Sequence, residues 1–273
     1  MAQVHLVQRD NSDACRIHAG DSEGRQHMSR LVERYQQGLR SPGIWLNTAD
    51  SQIAEIATAA DFDWVCIDLQ HGLAEMADLP RLLPILEKRD TFKIVRVLSN
   101  DAAAIGRVFD LGANGVIVPM IETVEEAAAA AAACRYPPTG SRSCGPTRAM
   151  AYDSKYLAHA NDAVMCVVMI ETAEGFANVA EIAALPGVDA LFVGPADLSF
   201  SLTGSIAGLG SQEFSDALDR VLEAGKAADV PVGVFGLNPD NAAQMLSRGF
   251  SFCSVSTDTN LFSSAVESAR QSF

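Results

Sequence analysis

The chain has 273 residues, of which 48% are hydrophobic, and its formal net charge is -14. This hydrophobic content is sufficient for one large core, so we expect a single α/β domain. The acidic charge argues against nucleic acid or an anionic membrane as partner, because both bind basic surfaces. No apolar run approaches the roughly 18 residues of a membrane span, and the N-terminus has no signal-peptide core, so we expect a cytoplasmic protein.

The first 27 residues are polar and aperiodic, which predicts an N-terminal extension, and residues 28–273 are predicted to form one catalytic domain. A short helix is expected from Met28 to Gln37, stopped by Gly38. The six cysteines form no C-x-x-C pair and have no spacing to histidine typical of zinc. We therefore expect them to be reduced and structural.

Strand-like and helix-like segments then alternate to the end of the chain. Eight strands are predicted at residues 43–47, 64–68, 93–97, 115–119, 164–171, 190–194, 231–235 and 252–256. Helices are predicted between and after them at residues 51–60, 79–88, 102–111, 124–133, 174–184, 213–228, 239–247 and 261–269. Eight βα units predict an α/β fold of the (β/α)8 TIM barrel type, with a doubly wound open sheet as the less favoured alternative.

Two connections in this pattern are long. Residues 135–162, between the fourth helix and the fifth strand, contain Y-P-P-T-G-S-R-S-C-G-P-T-R-A. Structureless connections of that length are uncommon unless they are functional, so we expect this one to reach an active-site mouth or a subunit contact. Residues 200–210 form a glycine-rich segment after the sixth strand, which we expect to be a mobile substrate cover.

Two buried strand-like runs lead to single carboxylates. Glu171 closes V-V-M-I-E, and Asp197 follows F-V-G-P-A. One such acid could merely cap the next helix. Because the carboxyl ends of barrel strands converge on one mouth, however, two acids on neighbouring strands could share Mg²⁺ or Mn²⁺. Gly194 allows close backbone approach, and the amides that open the following helix can hold an anionic carboxylate.

Three other polar residues are candidates for the site. His71 alone among the five histidines ends a barrel strand, so beside a metal-bound carbonyl it would act as general base, although a lone histidine is often structural. Arg96 lies inside an apolar strand, where an arginine is costly without an anionic partner, and we favour substrate binding for it. Asp110, near the end of the third helix, has no evident role beyond that of a solvated helix acid.

Several motifs in order resemble the HpcH/HpaI aldolase family, whose members are metal-dependent class II pyruvate aldolases related to 2-dehydro-3-deoxyglucarate aldolase and macrophomate synthase. The resemblance runs from about Leu31 to the C-terminus. The motifs are I-D-L-Q-H-G, I-V-R-V, F-D-L-G-A-N-G-V-I-V-P-M-I-E-T, R-Y-P-P-T-G-S-R-S-C-G-P, M-I-E-T-A-E-G and V-G-P-A-D-L-S.

The resemblance implies a role for each candidate residue. A divalent ion (Mg²⁺, Mn²⁺ or Co²⁺) is expected on two acids, an arginine is expected to contact the enolate oxygen of pyruvate, and a histidine base is expected to be held by an acid. Backbone amides are expected to bind the substrate carboxylate. The residues are Glu171 and Asp197 for the metal, Arg96 for the enolate, His71 with Asp110 for the base, and Gly194, Pro195, Ala196 and Asp197 for the carboxylate.

The implied reaction is the reversible aldol cleavage of a 4-hydroxy-2-oxo acid to pyruvate and an aldehyde. An oxaloacetate decarboxylase, or a synthase of the macrophomate or citrate synthase kind, would use the same enolate and is the alternative. A barrel that binds a 2-oxo acid without catalysis is less favoured, because binding alone does not require both a metal pair and a base. No lysine fits a Schiff-base site.

The resemblance also implies a homo-hexamer, a trimer of dimers in which the last helix is exchanged between paired barrels. The sequence departs from the family in two places. Met169 stands two residues before the metal glutamate, where glutamine is frequent, and the extension of about 27 residues has no counterpart. The first departure bears on substrate positioning and the second on assembly.

Overall fold

The protein is a closed barrel of eight parallel strands that follow one another in chain order, as predicted. The computed structural model describes residues 30–87 and 91–273, so the predicted extension and the first two residues of the predicted first helix lie outside the described residues. The strands are β1 (Ser41–Leu46), β2 (Trp64–Asp68), β3 (Phe92–Arg96), β4 (Gly115–Val118), β5 (Met165–Ile170), β6 (Ala190–Val193), β7 (Val232–Phe235) and β8 (Phe252–Thr257).

Helices surround the barrel and return the chain from the carboxyl end of each strand to the amino end of the next. They are α1 (Arg30–Gln36), α2 (Ser51–Ala59), α3 (Leu79–Leu86), α4 (Ala102–Asp110), α5 (Val124–Cys134), α6 (Thr147–Tyr152), α7 (Tyr156–Ala163), α8 (Ala173–Ala177), α9 (Val179–Ala183), α10 (Pro195–Thr203), α11 (Gln212–Ala228), α12 (Pro239–Arg248) and α13 (Asp258–Gln271). Short 3-10 helices cover Met76–Asp78 and Ile206–Gly210. In the part of the chain that is described, no helix is long and apolar enough to cross a bilayer.

Alternation of side chains along the strands separates two apolar layers. One set faces the helices, and the other fills the barrel interior with large side chains that include Trp45, Trp64, Phe192 and Phe252. Gly43 leaves room for the indole of Trp64, because a Cβ at that position would overlap the ring. The interior is therefore a packed core, and a ligand can enter only at the mouth, above the last interior side chains.

The connection between α5 and β5 differs from the expectation of a structureless segment. It contains α6 and α7, and it is anchored by Arg142, whose side chain is 1% exposed. The guanidinium of Arg142 donates to Asp110 (2.7 Å) and to the Tyr156 hydroxyl (3.1 Å), and it lies 4.5 Å from the ring of Tyr136. Within one chain this segment packs at the amino end of the strands, away from the mouth, whereas a subunit contact stays a prediction.

The segment expected to be a glycine-rich cover is also ordered. Residues 200–210 complete α10 and form the second 3-10 helix. The Ser199 hydroxyl donates to the Ser205 carbonyl at 3.0 Å, and the Thr203 hydroxyl donates to the Ser199 carbonyl at 2.8 Å. The Ser199 bond holds the segment that follows α10 against that helix.

Candidate active site

Glu171 lies directly after β5 and is 2% exposed. Its Oε1 atom accepts a hydrogen bond from the Met120 N–H at 2.8 Å. Its Oε2 atom faces Gly194, where a Cβ would come within 2.5 Å of that oxygen. Only glycine leaves the carboxylate its place, so the predicted close approach at Gly194 serves Glu171 itself.

The electrostatic surroundings of Glu171 are unfavourable for a bare carboxylate. Burial raises the pKa of Glu171 to about 7; the Met120 N–H and the charge of Arg96 lower it, and the charge of Asp197 raises it. Asp197 is therefore close enough to repel Glu171. A cation between the two acids would offset both the repulsion and the burial.

The donor atoms fit a hard divalent cation. Neither Oε2 of Glu171 nor the exposed carboxylate of Asp197 has a hydrogen-bond partner among the described residues. Over the same residues, no group of three or more His, Cys, Asp or Glu side chains could hold an ion. Two carboxylates with water and substrate oxygens are what Mg²⁺ commonly uses, so the residues present suit that ion.

The start of α10, where the carboxylate cradle is predicted, has fewer free N–H groups than expected. Gly194 is the N-cap and its own N–H donates to the Ile170 carbonyl at 3.3 Å, while Pro195 has no N–H. The first intrahelical bond runs from the Leu198 N–H to the Gly194 carbonyl at 3.0 Å. The amides left to bind an anion are those of Ala196 and Asp197, two of the four residues expected.

Arg96 has an anionic partner that sequence analysis left without a role. Its Nε and Nη2 atoms donate to the two oxygens of Asp68 at 2.8 and 2.6 Å, and the guanidinium lies 5.0 Å from the Trp45 ring. Burial raises the pKa of Asp68, but the hydrogen bonds and charge of Arg96 outweigh it, so the pKa lies below its ordinary value. Nη1 of Arg96 has no acceptor among the described residues, which leaves it for a ligand.

The register of the strands could have identified Asp68. Asp68 is directly opposite Arg96 in the β2–β3 ladder, and both side chains lie on the interior face, two residues beyond Cys66 and Ile94. Side chains on one face of paired strands contact each other. An aspartate and an arginine near the ends of consecutive predicted strands therefore indicate an ion pair, and this pattern can be found in the sequence.

His71 follows β2 on a turn that Asp68 also organises. The Asp68 carboxylate accepts from the N–H groups of Gln70 (3.0 Å) and His71 (3.3 Å). The chain turns at Gly72, where a Cβ would overlap the Asp68 carbonyl. The imidazole is exposed on the carboxyl-end face, the same face that carries Glu171 and Asp197.

Asp110 does not lie near His71 within one chain. It is the last residue of α4, which runs from the carboxyl end of β3 down to the amino end of β4. Its carboxylate accepts from Arg142 at 2.7 Å. His71 and Asp110 are at opposite ends of the strands, so one chain alone does not form the implied pair.

Met169 lies in the barrel interior below the site. It is 1% exposed, two residues before Glu171, and opposite Phe192 in the β5–β6 ladder. Met169 thus provides an apolar floor below the two acids, where the sequence analysis expected an effect on substrate positioning.

Comparison with known protein families identifies the barrel. The family described as HpcH/HpaI aldolase/citrate lyase matches residues 41–265. The chain belongs to this family. The sequence motifs had predicted this family, and that prediction is confirmed. The prediction of a pyruvate aldolase is also confirmed, because relatives that cover most of the chain are named aldolases.

Three family relatives cover most of the chain. The 2-dehydro-3,6-dideoxy-6-sulfogluconate aldolase of Pseudomonas putida is 39% identical over 219 residues, covering 79% of this chain and 86% of the relative. The hydroxypyruvate/pyruvate aldolase of Pseudomonas aeruginosa is 36% identical over 246 residues, covering 86% and 90%. A crystal structure of a family member from Burkholderia cenocepacia J2315 has a TM-score of 0.84 at 33% identity, covering 89% of this chain and 98% of that one.

Proposed function

We propose that this protein is a divalent-metal-dependent aldolase that cleaves a 4-hydroxy-2-oxo acid to pyruvate and an aldehyde, reversibly. The observation that carries the proposal is the buried Glu171 carboxylate, which faces the acid Asp197 at the barrel mouth and has a free oxygen. A buried pair of like charges is costly unless something compensates it. Membership of an aldolase family supports the same conclusion.

Glu171 and Asp197 would hold the ion, which is Mg²⁺, Mn²⁺ or Co²⁺. When bound, the ion supplies Lewis-acid polarisation of the 2-oxo group. The N–H groups of Ala196 and Asp197 donate to the substrate carboxylate at the positive end of α10. These contacts orient the 2-oxo acid with its third carbon toward the open side of the mouth.

Arg96 stabilises the negative charge that develops on the substrate. Asp68 fixes the guanidinium through two hydrogen bonds, so Nη1 is already oriented when the carbon-carbon bond breaks. A donor that needs no reorganisation stabilises a developing oxyanion more than water does. The free Nη1 therefore donates to the oxygen of the pyruvate enolate.

His71 moves the proton. In cleavage it removes the proton of the 4-hydroxyl group, the bond between the third and fourth carbons breaks, and that electron pair passes to pyruvate as its enolate. A proton then adds to the third carbon to give pyruvate, while the fourth carbon leaves as the aldehyde. The exposed imidazole on the turn after β2 has the access to solvent that such a transfer needs.

The implied pairing of His71 with Asp110 requires Asp110 of a second subunit, because one chain holds the two residues at opposite ends of the strands. The exposed apolar side chains of the last helix, α13, support an assembly of several subunits. Leu261, Phe262 and Val266 of α13 are exposed, although they are the apolar side chains that a final barrel helix would bury. The proposal therefore includes a hexamer in which α13 is exchanged between paired barrels. It also includes a cytoplasmic location.

The proposal is tested by pyruvate release from 4-hydroxy-2-oxo acids with Mg²⁺ or Mn²⁺, before and after chelation. Chelation is expected to abolish release, and borohydride with pyruvate is expected to leave the protein unmodified. Glu174→Gln is the matched control for Glu171→Gln, because Glu174 is exposed and three residues away. Carbon dioxide release from oxaloacetate without any aldehyde turnover would instead favour the decarboxylase or synthase alternative.

A further inference from the structure

We infer that the aldehyde accepted at this mouth is uncharged and apolar at the end remote from its carbonyl group. The inference rests on the proposed aldolase function and adds the class of the second substrate. It comes from the side chains that surround the two metal-binding acids, since the fold brings the segments after all the strands to one face.

The segments between each strand and the following helix contain no lysine or arginine. They are residues 47–50, 69–75, 97–101, 119–123, 171–172, 194 and 236–238, and α13 follows β8 directly. Five acids lie in them, namely Asp50, Glu75, Asp101, Glu122 and Glu171. The field at the mouth is therefore negative before any ion binds.

Two guanidinium groups lie near this face, and the described residues engage both. Arg96 is bound to Asp68 and has only Nη1 left, which the pyruvate half of the substrate uses. Arg81 lies at the start of α3 and donates to the Ser51 hydroxyl, the Ala49 carbonyl and Asp78. These bonds hold the Arg81 guanidinium against the segment before α2 and the first 3-10 helix, with its Nη1 and Nη2 atoms already donating.

Large exposed apolar side chains lie in four of the segments that surround the two acids. Leu73, Leu98, Met120 and Leu237 are 79%, 67%, 50% and 44% exposed and come from the segments after β2, β3, β4 and β7. We call these four the apolar rim. Exposed apolar side chains gathered around a polar site are typical of a ligand-binding mouth.

An aldehyde with an anionic far end would therefore lose hydration against the apolar rim and meet the acids of the strand-to-helix segments, which contain no lysine or arginine to compensate its charge. An uncharged aldehyde of equal length would bury its chain on the same side chains. The discrimination comes from repulsion and lost hydration, not from a clash of shape. We expect it to reach at least tenfold in kcat/KM.

The test uses two four-carbon aldehydes that differ in terminal charge, butanal and succinic semialdehyde, each condensed with saturating pyruvate by the Mg²⁺-loaded enzyme. The expected result is a kcat/KM at least tenfold higher for butanal. A smaller ratio, or a preference for succinic semialdehyde, overturns the inference, because cations from elsewhere, such as a neighbouring subunit, would then act at the mouth.

A rim variant gives the second measurement. Leu98→Arg is expected to shift the ratio at least tenfold toward succinic semialdehyde, whereas Leu98→Gln, which alters the same side chain without charge, is expected to keep a tenfold preference for butanal. Equal ratios in the two variants contradict the inference. Exchange of pyruvate methyl protons with solvent deuterium, measured without aldehyde, distinguishes failure of this inference from failure of the aldolase proposal. If exchange occurs but butanal is not preferred, only this inference is refuted. If no exchange occurs, the aldolase proposal is refuted as well.

Discussion

The two ends of this barrel use the same residue types for opposite purposes. At the amino end, acids are matched with cations: Arg135 binds both oxygens of Asp189 at 2.7 and 2.8 Å, and Arg142 binds Asp110 at 2.7 Å. At the carboxyl end, Glu171 lies close to Asp197, neither acid forms an ion pair among the described residues, and burial together with that repulsion raises the pKa of Glu171 to about 7. Paired charges hold a structure together, whereas an uncompensated pair marks a ligand site.

The same comparison distinguishes three buried arginines of the barrel. Arg135 donates to Gly187 and Asp189, and Arg142 donates to Asp110 and Tyr156 although its buried Nε has no acceptor among the described residues. Arg96 is held by Asp68 and keeps Nη1 without a protein acceptor. Burial of a charge, or a single spare donor, does not by itself identify function. What distinguishes Arg96 is that its spare donor lies at the end of the barrel that carries Glu171 and Asp197.

The largest effect is expected for Glu171→Gln. The amide keeps an acceptor for the Met120 N–H but cannot bind a divalent cation as a carboxylate does. We expect kcat/KM for pyruvate release to fall by about a thousandfold or more, as is usual when a catalytic ion is lost, and Mn²⁺ binding by calorimetry to be abolished. Thermal unfolding of the metal-free variant should occur at the same temperature or higher. A variant that retains metal binding would contradict the assignment.

Asp68→Asn tests the positioning of Arg96. The amide cannot match the two guanidinium donors, so the charge of Arg96 loses its buried partner and its fixed orientation. We expect kcat to fall by about a hundredfold, with a smaller change in KM, because the interaction lost belongs to the transition state. Asp68→Glu should recover little, since the longer side chain shifts the guanidinium. An effect on KM alone would assign Arg96 to ground-state binding.

Gly194→Ala tests the close contact at the metal-binding glutamate. The added methyl group would lie 2.5 Å from Oε2 of Glu171, so the carboxylate must move. We expect at least a tenfold weaker Mn²⁺ affinity, about 1.4 kcal/mol. Gly145→Ala is the matched control, because a Cβ at Gly145 meets no atom within 4 Å, and it should bind Mn²⁺ as the wild type does. Equal affinities in the two variants would contradict the geometry.

Arg135→Met should have the smallest effect on catalysis and a clear effect on stability. It leaves the half-buried Asp189 without its cation, and because the two side chains are 13% and 24% exposed the loss should fall below the roughly 3–5 kcal/mol of a fully buried pair. Denaturant unfolding should report that loss, while kcat/KM of the folded enzyme stays within about twofold, a limit set by the ordinary neutrality of distant sites. A large loss of activity in folded protein would mean that Arg135 contributes to the chemistry.

The barrel could be predicted because each strand is an apolar run and a helix-like segment follows each of them. The run around residues 164–171 and the capping box of Thr123 and Glu126 before α5 are local features that need no tertiary information. The structure adds detail where tertiary contacts decide: the predicted helix at residues 174–184 divides at Asn178 into α8 and α9, and α6 and α7 form where no periodicity was recognised.

Residues of the candidate site could be predicted where a short stretch of sequence identifies them, and could not where contacts between distant segments decide their role. Four of the candidate residues are polar and lie at or near the end of an apolar strand, which makes them visible in the sequence: Glu171, Asp197, His71 and Arg96. Asp68 was missed because its role depends on the register between two strands. The chemistry of the cradle depends on which N–H groups are already used, and this excludes Gly194 and Pro195. The distance between Asp110 and His71 could not be predicted from the sequence, because it depends on the course of α4 from one end of the barrel to the other.

The most direct test of the account is deuterium exchange into the methyl group of pyruvate, followed by NMR without an aldehyde. The account predicts exchange that requires Mg²⁺ or Mn²⁺, stops on chelation, and is lost in Glu171→Gln while Glu174→Gln retains it. Exchange that persists in the chelated enzyme or in Glu171→Gln would contradict the claim that the acids at the carboxyl end of the barrel hold the catalytic ion.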